Sequence, residues 1–459
     1  MAGGTDFAAY DAYIEQNFDA MVEELRRFCS QPTLAGQRIG LEEGVALVRE
    51  ALEPLGANVK VVPIGDTPPV VLAELGSGER TLLFYNHYDV QPPEPLELWD
   101  SPPYAGDVRE GRFYARGVAD DRGDLLSRVL AIRAYQATIG DLPLRIRWLA
   151  VGEEVVGSPN LAPAVREHAD ELRADWCAWE GSLRDVNDNP QIICGVKGML
   201  YVELHATGPR TDAHSGLGGI MPNPAWRLVM ALNTLRDEQG NFVMDGLEEL
   251  VARPSQLDVD TIQRMPYDEQ ALLDLYGIKA WQRGLSGHDV LVVEQFEPTA
   301  NIAGFTSGYS GEGAKTIVPS KAVAKMDFRL VPNQTPEKML SLLRAHLDRR
   351  GFDDVEIVKI GELLPAKTSV DHPLVRASEE VWRDLGEQQV VIAPMTGGSG
   401  PLSLIATELG IPTVMTGGVA FTGSLFHAPN EFVYLDHFKQ GIRYWGRFFD
   451  RLAGMNDGQ

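Results

Sequence analysis

Residues 81–90 constrain the fold of this chain more than any other stretch. They read Thr-Leu-Leu-Phe-Tyr-Asn-His-Tyr-Asp-Val, so an apolar run rich in β-formers ends in His87 and Asp89, and prolines at 92 and 93 stop it. A strand buried on both faces of a parallel sheet is a continuous apolar run of this kind. Ligands of open α/β sheets bind at the carboxyl ends of such strands. The stretch therefore predicts the central strand of an α/β sheet, with His87 placed where a ligand would bind.

Acidic residues follow further predicted strands in the same manner. They are Asp120 and Asp121 after a short strand at 112–115, Glu153 and Glu154 after a strand at 144–151, and Glu180 after a strand at 175–179. Adjacent acids before a helix or in a turn could also be a cap or a solvated turn, because carboxylates favour helix N-termini. Helices are predicted between these strands, which favours a largely parallel, doubly wound sheet with helices on both faces.

The pattern changes near Gly198, where strands begin to alternate polar and apolar residues. Strands are predicted at 199–207, 291–296, 321–330 and 354–360, with helices at 223–235 and 336–349. At 459 residues the chain is too long for one core. We therefore predict a mixed α/β fold with two domains. Residues 1–198 and 369–459 form a discontinuous α/β domain, and 199–368 form an inserted α+β domain.

The net charge of -24, from 41 basic and 65 acidic side chains, argues against nucleic acid and anionic membranes as partners. No apolar run approaches the roughly 18 residues of a membrane span. The N-terminus lacks the basic and apolar blocks of a signal peptide. The three cysteines are scattered, which is typical of a reducing compartment. We therefore expect a cytoplasmic protein.

The polar residues at the strand ends, with one late histidine, form a set that suits divalent metal ions. The set consists of His87, Asp120, Glu153, Glu154, Glu180 and His427. Imidazole and carboxylate ligands suit zinc, with manganese or cobalt as alternatives. Two divalent ions are balanced by three carboxylates and a bridging hydroxide, which leaves Glu153 as a base. Such a site predicts hydrolysis of a carbonyl compound by activated water.

With these residues in place, nearly the whole chain resembles the M20 metallopeptidases, in particular their carnosinase-like dipeptidase branch. The resemblance rests on His87-x-Asp89, Asp120-Asp121-Arg-Gly, Glu153-Glu154, Glu180 and His427 in His-Ala-Pro-Asn-Glu. It implies that Asp120 bridges two metal ions, that His87 and Glu180 complete one, and that Glu154 and His427 complete the other. It also implies Glu153 as general base, Asp89 as the residue that orients His87, and a cis peptide bond after Asp120.

The resemblance further implies that the inserted domain is a lid that forms a homodimer. His214, in Asp-Ala-His-Ser-Gly, would then bind the oxyanion in the partner's active site. Arg329 would hold a substrate carboxylate, and Asn301, Gly398 and Ser399 would face the substrate.

Three functions are compatible with these residues. The first is a dinuclear hydrolase that cleaves a dipeptide or small peptide, with the bridging hydroxide as nucleophile. The second is an amidohydrolase of N-acyl or N-carbamoyl amino acids, of the aminoacylase or carboxypeptidase kind, because a glutamate at Glu180 resembles those enzymes more than dipeptidases. The third is a catalytically silent, dimeric binding scaffold. The complete ligand set together with Glu153 argues against the third.

Overall fold

The computed structural model describes residues 5–65, 67–181 and 183–455. Its α-helices are α1 (Ala8–Cys29), α2 (Leu41–Leu52), α3 (Gly123–Thr138), α4 (Leu161–Glu167), α5 (Ala169–Leu172), α6 (Pro224–Asn233), α7 (Gln256–Arg264), α8 (Glu269–Tyr276), α9 (His288–Phe296), α10 (Pro336–Arg349), α11 (Pro373–Asp384) and α12 (Leu435–Ala453). None of the helices in these ranges has the length and apolar character needed to cross a membrane.

The strands are β1 (Asn58–Ile64), β2 (Thr67–Leu75), β3 (Thr81–His87), β4 (Asp107–Arg109), β5 (Arg112–Tyr114), β6 (Arg145–Val151), β7 (Trp176–Trp179), β8 (Leu183–Arg184), β9 (Gln191–Ile193), β10 (Gly195–Val196), β11 (Gly198–Thr207), β12 (Ala213–His214), β13 (Thr299–Ser307), β14 (Ile317–Val318), β15 (Lys321–Leu330), β16 (Glu356–Leu363), β17 (Ala366–Lys367), β18 (Val391–Ala393), β19 (Thr413–Val414), β20 (Ala420–Phe421) and β21 (Phe432–Tyr434). Short turns of other helix types include Val118–Arg122 and Glu154–Val156.

The chain divides into two compact units. The first comprises residues 1–195, 368–394 and 404–459, and the second comprises 196–367 and 395–403. The division assigns the segment 395–403, which includes Gly398 and Ser399, to the second unit.

The first unit is built on a sheet with the strand order β1-β2-β6-β3-β7-β19. β3 pairs in parallel with β6 and β7, and β7 pairs in parallel with β19. β1 and β2 join antiparallel at the other edge. Every residue of β3 is buried, as a continuous apolar strand between two neighbours requires. The prediction of a mixed, largely parallel α/β sheet is confirmed.

Aromatic packing fixes the helices of the first unit on the sheet. Phe84 of β3 lies 4.9 Å from the ring of Trp148 on β6 and 5.1 Å from the ring of Trp445 on α12. α12 in turn packs along α3. Buried aromatic side chains contribute the largest apolar areas to a core, so this cluster holds the carboxyl end of β3 in a rigid setting.

The second unit contains an antiparallel sheet with the strand order β13-β15-β11-β16. Alternate residues of β11, including Leu200, Val202 and Leu204, are buried against α6 and α10. The alternation of polar and apolar residues in the sequence therefore predicts the α+β character of this unit.

The strand predicted at 291–296 is wrong, because these residues belong to α9. A short apolar run has no periodicity that separates a strand from a buried helix. Here Phe296 is buried with Ile262 and Met395, and Leu291 and Val292 pack against them. β15 pairs with β11 on one side and, on the other, with β13, a less apolar segment that the sequence reading missed.

Candidate metal centre

His87 is the last residue of β3, and its side chain is fully buried. Its Nδ1 lies 3.0 Å from the backbone oxygen of Asp89 and 3.5 Å from a carboxylate oxygen of the same residue. A nitrogen that faces a carbonyl oxygen carries the proton and donates it, which leaves the lone pair on Nε2. The ring is thereby oriented with Nε2, the nitrogen that would bind a metal ion, 3.0 Å from Oδ1 of Asp120.

Asp120 lies between two histidines from distant parts of the chain. Its Oδ1 faces His87, and its Oδ2 lies 2.9 Å from Nε2 of His427. The peptide bond between Asp120 and Asp121 is cis, so this implication of the resemblance is confirmed. His427 is the most accessible of the three, with 58% of its side chain exposed. Each oxygen of one carboxylate therefore meets a different imidazole.

Glu180 directly follows β7 and reaches the same centre. Donor atoms of His87, Asp120 and Glu180 all lie within 4.8 Å of one another. Oε1 of Glu180 is buried and has no hydrogen-bond partner among the described residues. Leaving a buried carboxylate oxygen unpartnered is costly, and coordination of a cation removes that cost. This orphaned oxygen and the nitrogen and oxygen donors fit a divalent ion.

The two adjacent glutamates after β6 have different surroundings. The carboxylate of Asp89 accepts the backbone N–H groups of Glu154 and Val155, each at 3.2 Å, and so caps the turn Glu154–Val156. Glu153 precedes this turn and is buried. Its Oε1 accepts the backbone N–H of Asn160 at 2.7 Å, and its Oε2 accepts the Asn160 side-chain amide at 3.1 Å. Asp89 therefore contacts both the His87 ring and the glutamate turn.

Burial and crowding of negative charge dominate the electrostatics. Burial raises the pKa of Glu154 to about 7 and that of Asp121 to about 6. Burial, with the charge of Glu154, raises the pKa of Glu180 well above its usual range. Burial opposes protonation of His87, but the carboxylate of Asp120 raises its pKa well above the usual value. Burial likewise opposes ionisation of Asp120, yet the two histidines hold its pKa below the usual range. The centre is thus short of positive charge, which metal ions would supply.

A buried arginine that the sequence analysis did not identify bonds to the backbone next to two of the candidate ligands. Arg128 of α3 donates Nη1 to the backbone oxygen of Tyr85 at 2.8 Å and Nη2 to the backbone oxygen of Glu180 at 2.7 Å. It thereby links the ends of β3 and β7, the strands that carry His87 and Glu180. A charged residue within an apolar helix was the signal that could have identified it.

The residues predicted to contact the substrate lie in the second unit. Arg329 donates Nη1 to Oγ of Ser399 at 2.8 Å, and its Nε lies 3.4 Å from Oδ1 of Asp327. Asn301 donates to the other oxygen of Asp327 at 2.9 Å. The carboxylate of Asp327 thus joins Arg329 to Asn301, and Arg329 itself bonds to Ser399.

Gly398 and His214 are the other two predicted residues of this unit. The carbonyl of Gly398 accepts the backbone N–H of Lys197 at 2.9 Å. His214 is exposed, and its Nδ1 accepts the backbone N–H of Gly216 at 3.0 Å.

Comparisons with known proteins identify the family of this chain. The model of the peptidase family M20/M25/M40 matches residues 83–451. The β-Ala-His dipeptidase of Rattus norvegicus is 25% identical over 97% of this chain and 96% of its own length. The Cys-Gly metallodipeptidase of Schizosaccharomyces pombe is 26% identical over 96% of this chain and 98% of its own.

A solved structure extends the similarity to the fold. The M20 family metallo-carboxypeptidase Sso-CP2 from Sulfolobus solfataricus superposes with a TM-score of 0.90 at 32% identity, covering 95% of this chain and 99% of that one. The family match spans β3 to α12, and so every residue of the centre described above. The chain belongs to the M20/M25/M40 peptidase family and is a metal-dependent hydrolase of that family.

Proposed function

We propose that this chain is a dinuclear metallopeptidase that cleaves the amide bond of a dipeptide or small peptide. The observation that carries the proposal is the position of Asp120, whose two oxygens face His87 at 3.0 Å and His427 at 2.9 Å. A carboxylate directed at two ligands in this way suits a bridge between two ions. The ions are zinc, with manganese or cobalt as alternatives.

The remaining ligands divide between the two ions. His87 and Glu180 would hold one, with Asp120 shared, because their donor atoms already lie together. Glu154 and His427 would hold the other. When bound, two such ions polarise a carbonyl oxygen and acidify water.

Glu153 is the proton carrier in this proposal. It lies beside the ligand Glu154, but the contacts of both its oxygens are with Asn160 rather than with the histidines. A buried carboxylate with a fixed orientation can accept the proton of the attacking water and deliver it to the leaving amine.

His214 acts from the partner subunit of a homodimer. It is exposed, and none of the metal-centre residues lies in its own unit. The surface of α6 supports a second copy as the occupant, because Trp226, Val229 and Met230 form an exposed apolar stripe at helical spacing. The edge strand β13 adds exposed Ile302 and Phe305. Exposed apolar patches and the edge strands of sheets are each typical of interfaces.

Arg329 would bind the substrate's carboxylate, with Ser399, Gly398 and Asn301 lining the site. Its guanidinium already donates to Ser399 at 2.8 Å, so the group is oriented. A free carboxylate is shared by dipeptides and by N-acyl or N-carbamoyl amino acids, which remain the alternative substrates. The names of the relatives favour dipeptides, because both are dipeptidases.

The experiment combines metal analysis with a substrate panel. The purified chain, saturated with Zn²⁺ or Mn²⁺, should bind two ions and hydrolyse dipeptides faster than N-acetyl and N-carbamoyl amino acids. Faster hydrolysis of the acyl compounds would select the amidohydrolase. One ion per chain at saturation would contradict the dinuclear site, and two ions with no hydrolysis would indicate a silent scaffold.

We also place the protein in the cytoplasm. Cys29 and Cys177 are fully buried thiols, and burial raises the pKa of each to about 12. Buried thiols of this kind are inert, which suits a protein without structural disulfides. Fluorescent tagging in the native host tests this assignment.

A further inference from the structure

One buried carboxylate contacts the segments that carry two of the metal-site residues. Glu431 lies at the end of the His-Ala-Pro-Asn-Glu motif and is 1% exposed. Its Oε1 accepts the backbone N–H of Ala119 at 2.9 Å, and its Oε2 accepts the backbone N–H of Gly117 at 2.9 Å. Arg116 donates Nη1 to the same Oε2 at 2.6 Å. Both carboxylate oxygens are therefore used to hold the turn that immediately precedes Asp120.

The backbone continues the same connection. β21 pairs antiparallel with β5, with Phe432 opposite Tyr114. The backbone oxygen of Glu431 also accepts the N–H of Ala115 at 3.1 Å. The segment that follows β5 leads to Asp120, and the segment that precedes β21 contains His427. The two segments are thus joined side by side, and Glu431 is the side chain at their junction.

Within the part of the chain that the structure describes, Arg116 forms an ion pair with Glu431 and with no other carboxylate. Arg116 is 1% exposed, and its Nε and Nη2 have no hydrogen-bond partner among the described residues. Its guanidinium lies 5.4 Å from the ring of Trp99. Removing one member of a buried pair leaves the other charge uncompensated, so the position requires an acid.

We propose that Glu431 is a positioning residue that sets the distance between Asp120 and His427, and so determines the affinity for the metal ion that these two residues share. The inference rests on the proposed dinuclear site. Partners behind metal ligands fix their orientation, and losing one typically costs about 10–100-fold in affinity. The ion held by His87 and Glu180 depends more on the ends of β3 and β7, so it should be affected less.

The variant Glu431→Gln gives a sharp test because it preserves volume. Oε1 faces one N–H donor and Oε2 faces two, so either orientation of a glutamine amide would direct its NH₂ group at a donor. A matched control is Glu387→Gln. Glu387 accepts from the buried Arg184 at 2.6 Å in the same unit, and Arg184 otherwise contacts Asp188 and Gln440, outside the metal centre.

The measurement is a calorimetric titration of the metal-free full-length chain with Mn²⁺, together with its melting temperature. For Glu431→Gln we expect one of two binding events to weaken about 10–100-fold and the other to change much less. Glu387→Gln should lower the melting temperature but bind both ions with wild-type affinity. Activity lost by Glu431→Gln should return as Mn²⁺ is raised, whereas a fold defect would not be rescued in this way.

Wild-type affinity at both sites in Glu431→Gln would overturn the inference, and so would an equal loss in both variants. If Glu431→Gln fails to fold, Glu431→Asp replaces it. The shorter acid keeps its charge but cannot reach both sides, so wild-type binding by that variant would also overturn the inference. Because the readout is metal binding, a wild-type chain that takes up two ions but hydrolyses no peptide would contradict only the proposed substrate.

Discussion

The two units present their candidate functional residues in opposite ways. In the first unit three side chains converge, with donor atoms within 4.8 Å: His87 and Glu180 at the ends of β3 and β7, and Asp120 in the turn Val118–Arg122. In the second unit His214 is exposed, and its Nδ1 accepts the backbone N–H of Gly216. The first arrangement brings candidate ligands together within one unit. The role proposed for His214 instead requires a site outside its own unit.

The difference follows from how each residue is positioned. Parallel strands deliver their ends to one edge of a sheet, and the packing of Phe84 on Trp148 and Trp445 fixes that edge. His214 ends a strand of two residues that pairs with the short β14. A rigid centre and a reactive group on a short, exposed ribbon suggest two separate contributions to catalysis, which mutations can separate.

The largest effect should come from the first unit. Glu153→Gln is expected to lower kcat by about 10²–10⁴-fold, the range for a lost general base, while two metal ions still bind. Glu154→Gln should instead weaken metal binding, because Glu154 is assigned as a ligand. Measurements of kcat and of bound metal on both variants check these two assignments. Near-full activity in Glu153→Gln, with intact metal but no turnover in Glu154→Gln, would reverse the assignments.

The second prediction concerns His214 and asks whether the second unit acts across a dimer. His214→Ala should lower the rate by about 10²–10³-fold, as loss of one oxyanion donor does. Mixing His214→Ala with Glu153→Gln under subunit exchange should restore activity, because one site of each mixed dimer receives neither lesion. Trp226→Lys on α6 should give an inactive monomer. No recovery despite proven exchange, or a fully active monomer, would place His214 outside the partner's site.

The third prediction tests substrate binding by the second unit. Arg329→Ala should raise KM for dipeptides by roughly 10–100-fold, the equivalent of about 1.5–3 kcal/mol for a hydrogen bond to a charged group. Dipeptide amides, which lack the carboxylate, should bind the variant and the wild type alike. Ser399→Ala is the control for the Arg329 contact at 2.8 Å and should have a smaller effect. An equal loss on the amides would assign Arg329 a structural role.

The smallest effect is on stability and distinguishes the acidic centre from the rest of the fold. Burial raises the pKa of Glu154 to about 7 and that of Asp121 to about 6, so these two carboxyl groups bind more protons in the folded, metal-free chain than in the unfolded chain between about pH 4 and 7. The stability that they contribute should therefore fall as the pH rises through that range. Bound metal ions should cancel this loss of stability.

Melting curves with Mn²⁺ and with a chelator, from pH 5 to pH 8, check this expectation. The difference in melting temperature between the two should widen by several degrees towards pH 8. Metal affinity should rise over the same range, since protons and ions compete for the carboxylates. A gap that narrows with rising pH would show that other groups control stability.

Much of this architecture could be predicted from the sequence because it depends on local patterns. A continuous apolar run predicts β3, alternation predicts β11 and β15, and polar residues that end such runs point to His87 and Glu180. Burial acts on each of these segments directly, so their periodicity records it. The cis peptide bond after Asp120 is predicted from the family resemblance, because no local sequence pattern predicts it.

Only the tertiary structure determines features that depend on contacts between residues far apart in the chain. Residues 291–296 of α9 are predicted as a strand because their apolar run has no periodicity that separates a strand from a helix. Their helical conformation depends on packing against Ile262 and Met395. The contacts of Arg128 and Glu431 could not be predicted from the sequence, for a related reason. A buried charge is tolerated only when distant groups satisfy it, and the carbonyl of Glu180 and the amides of Gly117 and Ala119 come together only in the folded chain.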